Sequence, residues 1–143
     1  MTLLVDTSVW SLALRRDASV ADAHAEVQAL KDALLGADVV VTTGLVLQEL
    51  LQGFSGPKAS AQIIERFAAL PLLQPDRADH IAAAELRNLC RRAGVQIGTV
   101  DALLAQLCLR HELVLLSTDK DFVLARQHCP LRIWSAPARR GQK

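Results

Sequence analysis

Tyrosine is absent from this 143-residue sequence, and aromatic residues as a whole make up only 3%. So few rings argue against a reader of single-stranded nucleic acid built on aromatic stacking platforms. Cysteine is scarce as well: Cys90, Cys108 and Cys129 are odd in number and scattered, with no C-x-x-C. Free thiols in a reducing compartment are the simplest account. No apolar run approaches the roughly 18 residues of a membrane span, and no basic leader precedes an apolar segment at the start. A cytoplasmic protein with no membrane contact is expected. No internal repeat or interdomain linker appears.

Charge of one sign is also lacking. There are 16 Lys and Arg against 15 Asp and Glu, a net charge of +1. Its distribution carries more information. If four or five acids converge on one site, 16 bases face only 11 or 10 acids elsewhere, a basic rim around an acidic pit. Such a layout suits a phosphodiester. Apolar residues make up 51%, which rules out a disordered chain, and the length suits one domain with one core.

The chain is organised around its first ten residues. Leu3 to Val5 form an apolar run without alternation, the signature of a strand buried on both faces. Asp6, Thr7 and Ser8 are all N-cap types and lead into Val9-Trp10-Ser11-Leu12, so a carboxylate sits where a buried strand hands over to a helix. In open α/β sheets ligands bind at that carboxyl edge, although Asp6 could equally serve only as a cap.

The same alternation continues. Val20, Ala23, Val27, Leu30 and Leu34 recur at helical spacing up to Gly36, and Val39 to Val41 are a second apolar strand. A helix with Glu49 follows, then a turn at Gly53 to Pro57 and a helix whose inward stripe is Ile63, Ile64, Phe67 and Leu70. Leu72-Leu73, hemmed by Pro71 and Pro75, reads as an edge strand. Asp76 or Asp79 starts a long helix with Ala82, Leu86, Leu89 and Ala93 inward, while Arg87, Arg91 and Arg92 form a solvated face. Thr99 to Leu109 is a helix, Leu113 to Leu116 a strong strand, Asp119 to Gln127 a helix and Leu131 to Trp134 a last edge strand. The expectation is one three-layer α/β domain over residues 1–135, a central parallel sheet of about five short strands flanked by helices. Residues 136–143 form a basic tail, expected to be mobile.

Acids recur at strand mouths and helix starts. Leu113 to Phe122 repeats the opening logic of buried strand, hydroxyls, then acid. Thr118 with Asp121 three residues later fits a capping box, which leaves Asp119 less accounted for. Asp101 lies in the first turn of an otherwise apolar helix, where a dipole-stabilised charge and a site residue are both open readings. Glu49 with Gln48 and Gln52 could be an ordinary solvated stripe. Helix starts and strand exits share one edge of such a sheet, so Asp6, Asp101 and Asp119 can meet there, with Glu49 reaching in on its longer arm. Two carboxylates about 4 Å apart repel by roughly 4 kcal/mol at an effective dielectric of 20, so four together call for a cation. Oxygen ligands without thiolate or imidazole select Mg²⁺ or Mn²⁺.

These segments resemble the PIN-domain ribonucleases, in particular the VapC-type toxins of bacterial toxin–antitoxin pairs. The resemblance runs from Leu3 to about Trp134. It rests on L-V-D-T-S-V-W at the start, Q-E-L around Glu49, T-V-D-A-L-L-A around Asp101 and S-T-D-K-D-F near the end. It implies that Asp6, Glu49, Asp101 and Asp119 are the catalytic and metal-binding quartet, with Asp121 an auxiliary acid. It also implies a central first strand, a homodimer, an RNA substrate and a cognate VapB-like antitoxin. Thr7, Ser8 and Thr118 are candidates to orient a carboxylate or a phosphate oxygen, and Trp10, Leu12 and Leu14 to meet the antitoxin.

Other constellations fail. His111-Glu112 is not H-E-x-x-H, the turn at Gly53 lacks a Walker lysine, and Ser8 and Thr118 have no evident histidine base. The expected function is a metal-dependent endoribonuclease. Its rivals are a PIN-like module that binds protein or RNA without cleaving it and a DNA flap nuclease, the latter disfavoured by the short chain.

Overall fold

The computed structural model describes residues 1–15 and 24–137. In chain order the elements are β1 (Thr2–Val5), α1 (Thr7–Leu14), α2 (Ala25–Leu35), β2 (Val39–Thr43), α3 (Gly44–Gly53) and α4 (Pro57–Ala68). They continue as β3 (Leu72–Leu73), α5 (Arg77–Arg92), α6 (Thr99–His111), β4 (Val114–Leu116), α7 (Lys120–Ala125) and β5 (Arg132–Ile133).

The five strands form one sheet in the order β3-β2-β1-β4-β5, and every pairing is parallel. Leu3 lies opposite Val40 on one side and Val114 on the other. The opening run is therefore the middle strand, and its Leu3, Leu4 and Val5 are sealed from solvent. The two proline- or polar-flanked strands, β3 and β5, take the edges as expected. Helices cover both faces of the sheet in a three-layer α/β arrangement; α1 packs on α2 and α3, α3 on α4, and α5 lies along α6. Trp10 belongs to this core, 3% exposed, with its ring centroid 4.8 Å from that of Phe67.

Parallel topology puts every strand exit on one edge, and each helix that leads back into the sheet starts there. α6 feeds β4, so its N-terminus, and Asp101 with it, shares the edge where β1 ends at Asp6 and β4 ends before Ser117. α5 is closed by Gly94 at φ +80°, with Val95 N–H reaching the Cys90 carbonyl at 2.8 Å and Gly94 N–H the Arg91 carbonyl at 3.0 Å.

Several helical stripes differ from expectation. On α5 the buried face is Asp79, Ala83, Leu86 and Cys90, not Ala82, Leu86, Leu89 and Ala93. Leu89 is 41% exposed. The rotation has a cause that hydropathy misses: Asp79 is fully buried because it closes a reciprocal capping box with Asp76 and pairs with Arg110 of α6. Likewise Ile64 and Leu34 face solvent while Ile63, Phe67, Leu30 and Ala33 face in. α7 is shorter than expected and starts at Lys120. Val20 and Ala23, and residues 138–143 of the expected tail, lie outside the described residues.

Candidate active site

Asp6 occupies the N-cap position of α1, yet its side chain caps nothing. Its Oδ2 instead accepts two hydroxyls, Ser8 Oγ at 2.9 Å and Ser117 Oγ at 2.8 Å. Capping alone therefore does not explain this carboxylate. It is 6% exposed and held by groups from two different strand exits. The Asp6 N–H also bonds the Leu116 carbonyl at 2.9 Å, which ties the end of β1 to the end of β4.

Glu49, the least distinctive acid in the sequence, is reached by Thr7, whose Oγ1 donates to Glu49 Oε1 at 2.9 Å. α3 is presented at this angle because Thr43 caps it, accepting the Val46 N–H at 3.2 Å. Asp101 stands in the first turn of α6, after an N-cap glycine whose own position offers no side-chain cap. Burial, followed by the charges of Asp6, Asp119, Glu49 and Asp121, pushes its carboxyl up to about 7 from an ordinary 3.8. The helix dipole alone would have lowered it. Burial alone would raise it, but the added push from Asp6, Asp119, Glu49 and Asp121 puts the five acids in one electrostatic neighbourhood.

The fourth segment departs from expectation. The cap of α7 is Asp119, not Thr118: its Oδ1 accepts the Asp121 N–H at 2.9 Å. The expected Thr118–Asp121 capping box is thus replaced by an aspartate cap one residue later. Thr118 contributes through its backbone, its N–H donating to Ser8 Oγ at 3.2 Å. Asp119 also receives support from Ser117, whose Oγ accepts the Asp119 N–H at 3.0 Å.

Ser117 opens the S-T-D-K-D-F motif, which assigns it no role of its own, yet it is the residue that joins these parts. It is buried, it holds Asp6 through its hydroxyl and Asp119 through that residue's backbone, and it lies 3.4 Å from Ser8 Oγ. The signal for it is positional: Ser117 follows β4 just as Asp6 follows β1, and a short hydroxyl at a buried strand exit needs a partner.

All the candidate residues therefore meet at one edge, but as an open group. Among the described residues, no three His, Cys, Asp or Glu side chains are drawn together closely enough to hold an ion by themselves. The donors present are carboxylates and hydroxyls, with no thiolate or imidazole in the hydrogen-bond network. Mg²⁺ suits such a set, since it keeps several waters and uses only one or two carboxylates with substrate phosphate oxygens. Trp10, by contrast, is sealed in the core and cannot reach a partner, while Leu12 and Leu14 are half-buried against it.

Fold and site together define a three-layer parallel α/β domain with an acidic pit at the carboxyl edge. The PIN domain family model matches residues 3–126, and the chain belongs to that family. Among solved structures, VapBC-1 from nontypeable Haemophilus influenzae superposes with a TM-score of 0.68 at 19% identity, covering 94% of this chain and 98% of that one. The DNA-bound VapBC from Salmonella typhimurium gives 0.69 at 16% identity over 94% and 97%. The sarcin–ricin-loop-cleaving toxin VapC20 from Mycobacterium tuberculosis gives 0.65 at 22% identity over 86% and 94%.

Proposed function

We propose that this protein is a Mg²⁺- or Mn²⁺-dependent endoribonuclease of the VapC type, the toxin of a toxin–antitoxin pair. The single observation that carries the reading is the gathering of Asp6, Glu49, Asp101 and Asp119 at one sheet edge, where burial and the neighbouring acids push the Asp101 carboxyl upward. A structural role needs no such crowding, and a divalent cation would relieve it. Asp6, Glu49, Asp101 and Asp119 would hold the ion, whose bound form supplies a more acidic water and Lewis acidity toward phosphate oxygens.

The remaining roles belong to the chain. Ser8 and Ser117 both donate to Oδ2 of Asp6, which leaves the carboxylate little rotational freedom and its Oδ1 uncommitted to either serine. Thr7 does the same for the exposed arm of Glu49. Asp119 spends one oxygen on the α7 N-terminus, which locks its rotamer. A bound cation would hold the Asp101 carboxylate deprotonated, against the upward push of burial and the neighbouring acids.

The VapBC neighbours are complexes, which supports a VapB-like antitoxin as partner; the homodimer remains what the family resemblance implies. No helix among the described residues is long and apolar enough to cross a membrane, and the three cysteines are unpaired. Both are consistent with a cytoplasmic protein.

The test is incubation of the purified protein with total cellular RNA, with Mn²⁺ or with a chelator, followed by sequencing of the cut ends. Metal-dependent cuts with 5′-phosphate ends are expected. No cleavage of any RNA with any divalent metal would leave the non-catalytic binding module as the better reading.

A further inference from the structure

Two helices of this chain begin with an acid at the same place and treat it differently. α5 has Asp76 at its N-cap and Asp79 three residues on, while α6 has Gly98 at its N-cap and Asp101 three residues on. On α5 the pair closes a reciprocal capping box. Asp79 N–H donates to Asp76 Oδ1 at 2.9 Å, and Asp76 N–H donates to Asp79 Oδ2 at 3.0 Å. Burial lifts the Asp79 carboxyl, but its hydrogen bonds, that from the Asp76 backbone first among them, bring it below the ordinary range. On α6 no side chain caps the helix. Burial and the charges of Asp6, Asp119, Glu49 and Asp121 lift the Asp101 carboxyl, and no hydrogen bond opposes them.

Nothing in the backbone calls for glycine at position 98. Its φ of −72° and ψ of 167° suit any residue, and the position is exposed. A Cβ built there would meet a single atom within 4 Å, Oδ2 of Asp101 at 3.9 Å, which is an ordinary contact. A side chain at 98 would therefore face the Asp101 carboxylate and nothing else. Were it Ser or Asn, it would accept the Asp101 N–H and invite the carboxylate back onto the N–H of residue 98, as happens on α5. Asp119 can give an oxygen to its helix because it is itself the N-cap. An acid three residues inside the helix that does so is turned toward its own helix start.

We propose that Gly98 is a positioning residue: by leaving α6 without a capping side chain, it keeps the Asp101 carboxylate free to serve the acidic pit. The inference rests on the ribonuclease reading for what the pit does, and on the start of α6 for how Asp101 is kept available.

Gly98→Ser tests it, with Gly98→Asn as the second cap should the first not fold. Gly98→Ala adds the Cβ without a hydrogen-bonding group. Gly56→Ser is the control, because Gly56 is also an N-cap without a side-chain hydrogen bond, at φ −64° and ψ 144°, and the third residue of its helix is Ala59. Both serine variants should melt about 1 °C or more above the wild type without metal. Gly98→Ser should also slow hydrogen exchange at the amides of residues 98 and 101, and bind Mn²⁺ about tenfold or more weakly by calorimetry. Cleavage of single-stranded RNA at subsaturating Mn²⁺ should slow in proportion. Gly98→Ala should lose far less Mn²⁺ affinity, and Gly56→Ser none. Wild-type Mn²⁺ affinity in Gly98→Ser and Gly98→Asn overturns the assignment. So does an equal loss in Gly98→Ala, which would make bulk rather than capping the cause. The two readings fail separately. If the wild type cuts RNA and Gly98→Ser cuts it and binds Mn²⁺ as well, only the role of Gly98 falls. If the wild type cuts no RNA while the Mn²⁺ and exchange differences persist, that role stands and the ribonuclease reading falls.

Discussion

Ser117 gives its hydroxyl proton to Oδ2 of Asp6 at 2.8 Å and takes the N–H of Asp119 at 3.0 Å. One buried serine therefore sets the relation between the carboxylate that ends β1 and the one that starts α7. Neither acid is placed by its own helix alone. The pit is a product of two neighbouring strands ending in register.

Ser117→Ala should consequently reduce cleavage more than it reduces stability. Losing a group that orients ligating carboxylates typically lowers activity or metal affinity by about 10–100-fold. The missing hydrogen bonds should cost about 1 kcal/mol of stability. Turnover at saturating Mn²⁺ and thermal denaturation measure the two effects. Wild-type turnover in a destabilised variant would reduce Ser117 to a packing residue.

Asp101 makes the metal-free protein sensitive to pH. Its carboxyl titrates at about 7 when folded against an ordinary 3.8, so the folded state holds the proton more tightly. The stability from this group is fully present below about 4 and is lost as pH rises through about 7. The metal-free melting temperature should thus fall from mildly acidic to mildly alkaline pH, and Asp101→Asn should flatten that fall. Because the pit is open to solvent, the gain in the variant at alkaline pH should be only on the order of 1 kcal/mol, or about 2–5 °C. Saturating Mn²⁺ should raise the wild-type melting temperature and raise that of the variant less. A variant whose profile parallels the wild type would remove Asp101 from the cluster.

Asp119 and Asp121 should separate by cap chemistry. Asn caps helices as well as Asp does, so Asp119→Asn should keep stability and lose cleavage, whereas Asp119→Ala should lose cleavage and about 1 kcal/mol besides. Asp121→Asn removes only a first-turn charge, so cleavage should fall far less and stability by a few tenths of a kcal/mol. The comparison needs one activity assay and one denaturation series. Equal loss of cleavage in Asp119→Asn and Asp121→Asn would place Asp121 among the ligands.

An ion pair between the buried Asp79 and the partly exposed Arg110 ties α5 to the helix that carries Asp101. Burial raises the Asp79 carboxyl, but hydrogen bonds from the Asp76 backbone, Gln106 and Arg110 outweigh it and hold it below the ordinary range. That stability is present above about 4 and is lost on acidification. Asp79→Ala removes the capping partner, while Arg110 is partly exposed and retains Asp76 at 3.2 Å, so the cost should be about 1–2 kcal/mol. Denaturant midpoints at neutral pH would show it, and a variant within a few tenths of wild type would contradict the assignment.

Much of this fold was legible in advance, for a physical reason. A strand buried on both faces writes an unbroken apolar run, so Leu3–Val5, Val39–Val41 and Leu113–Leu116 announced the sheet, and prolines around Leu72-Leu73 announced an edge. Helical stripes were less legible wherever polar groups were buried. Asp79 turned α5 by one residue because its partner Arg110 lies 31 positions away, beyond any local pattern. The acids could be gathered by topology, since strand exits and helix starts share an edge. Their partners could not: Thr7 to Glu49 spans 42 positions and Ser117 to Asp6 spans 111. The cap of α7 was misplaced because Thr118 and Asp119 are both good caps, and only the backbone conformation chooses between them.

The central claim is that Asp6, Glu49, Asp101 and Asp119 form a divalent-metal ribonuclease site. The most direct measurement is cleavage of an end-labelled single-stranded RNA by wild-type protein and by Asp101→Asn, each with Mg²⁺, with Mn²⁺ and with chelator alone. The account predicts cuts by the wild type only when metal is present, and a loss of about a hundredfold or more in the variant, which is roughly 2.7 kcal/mol or more of transition-state stabilisation. Cleavage that persists in chelator, or a variant that cuts as fast as wild type, would contradict it.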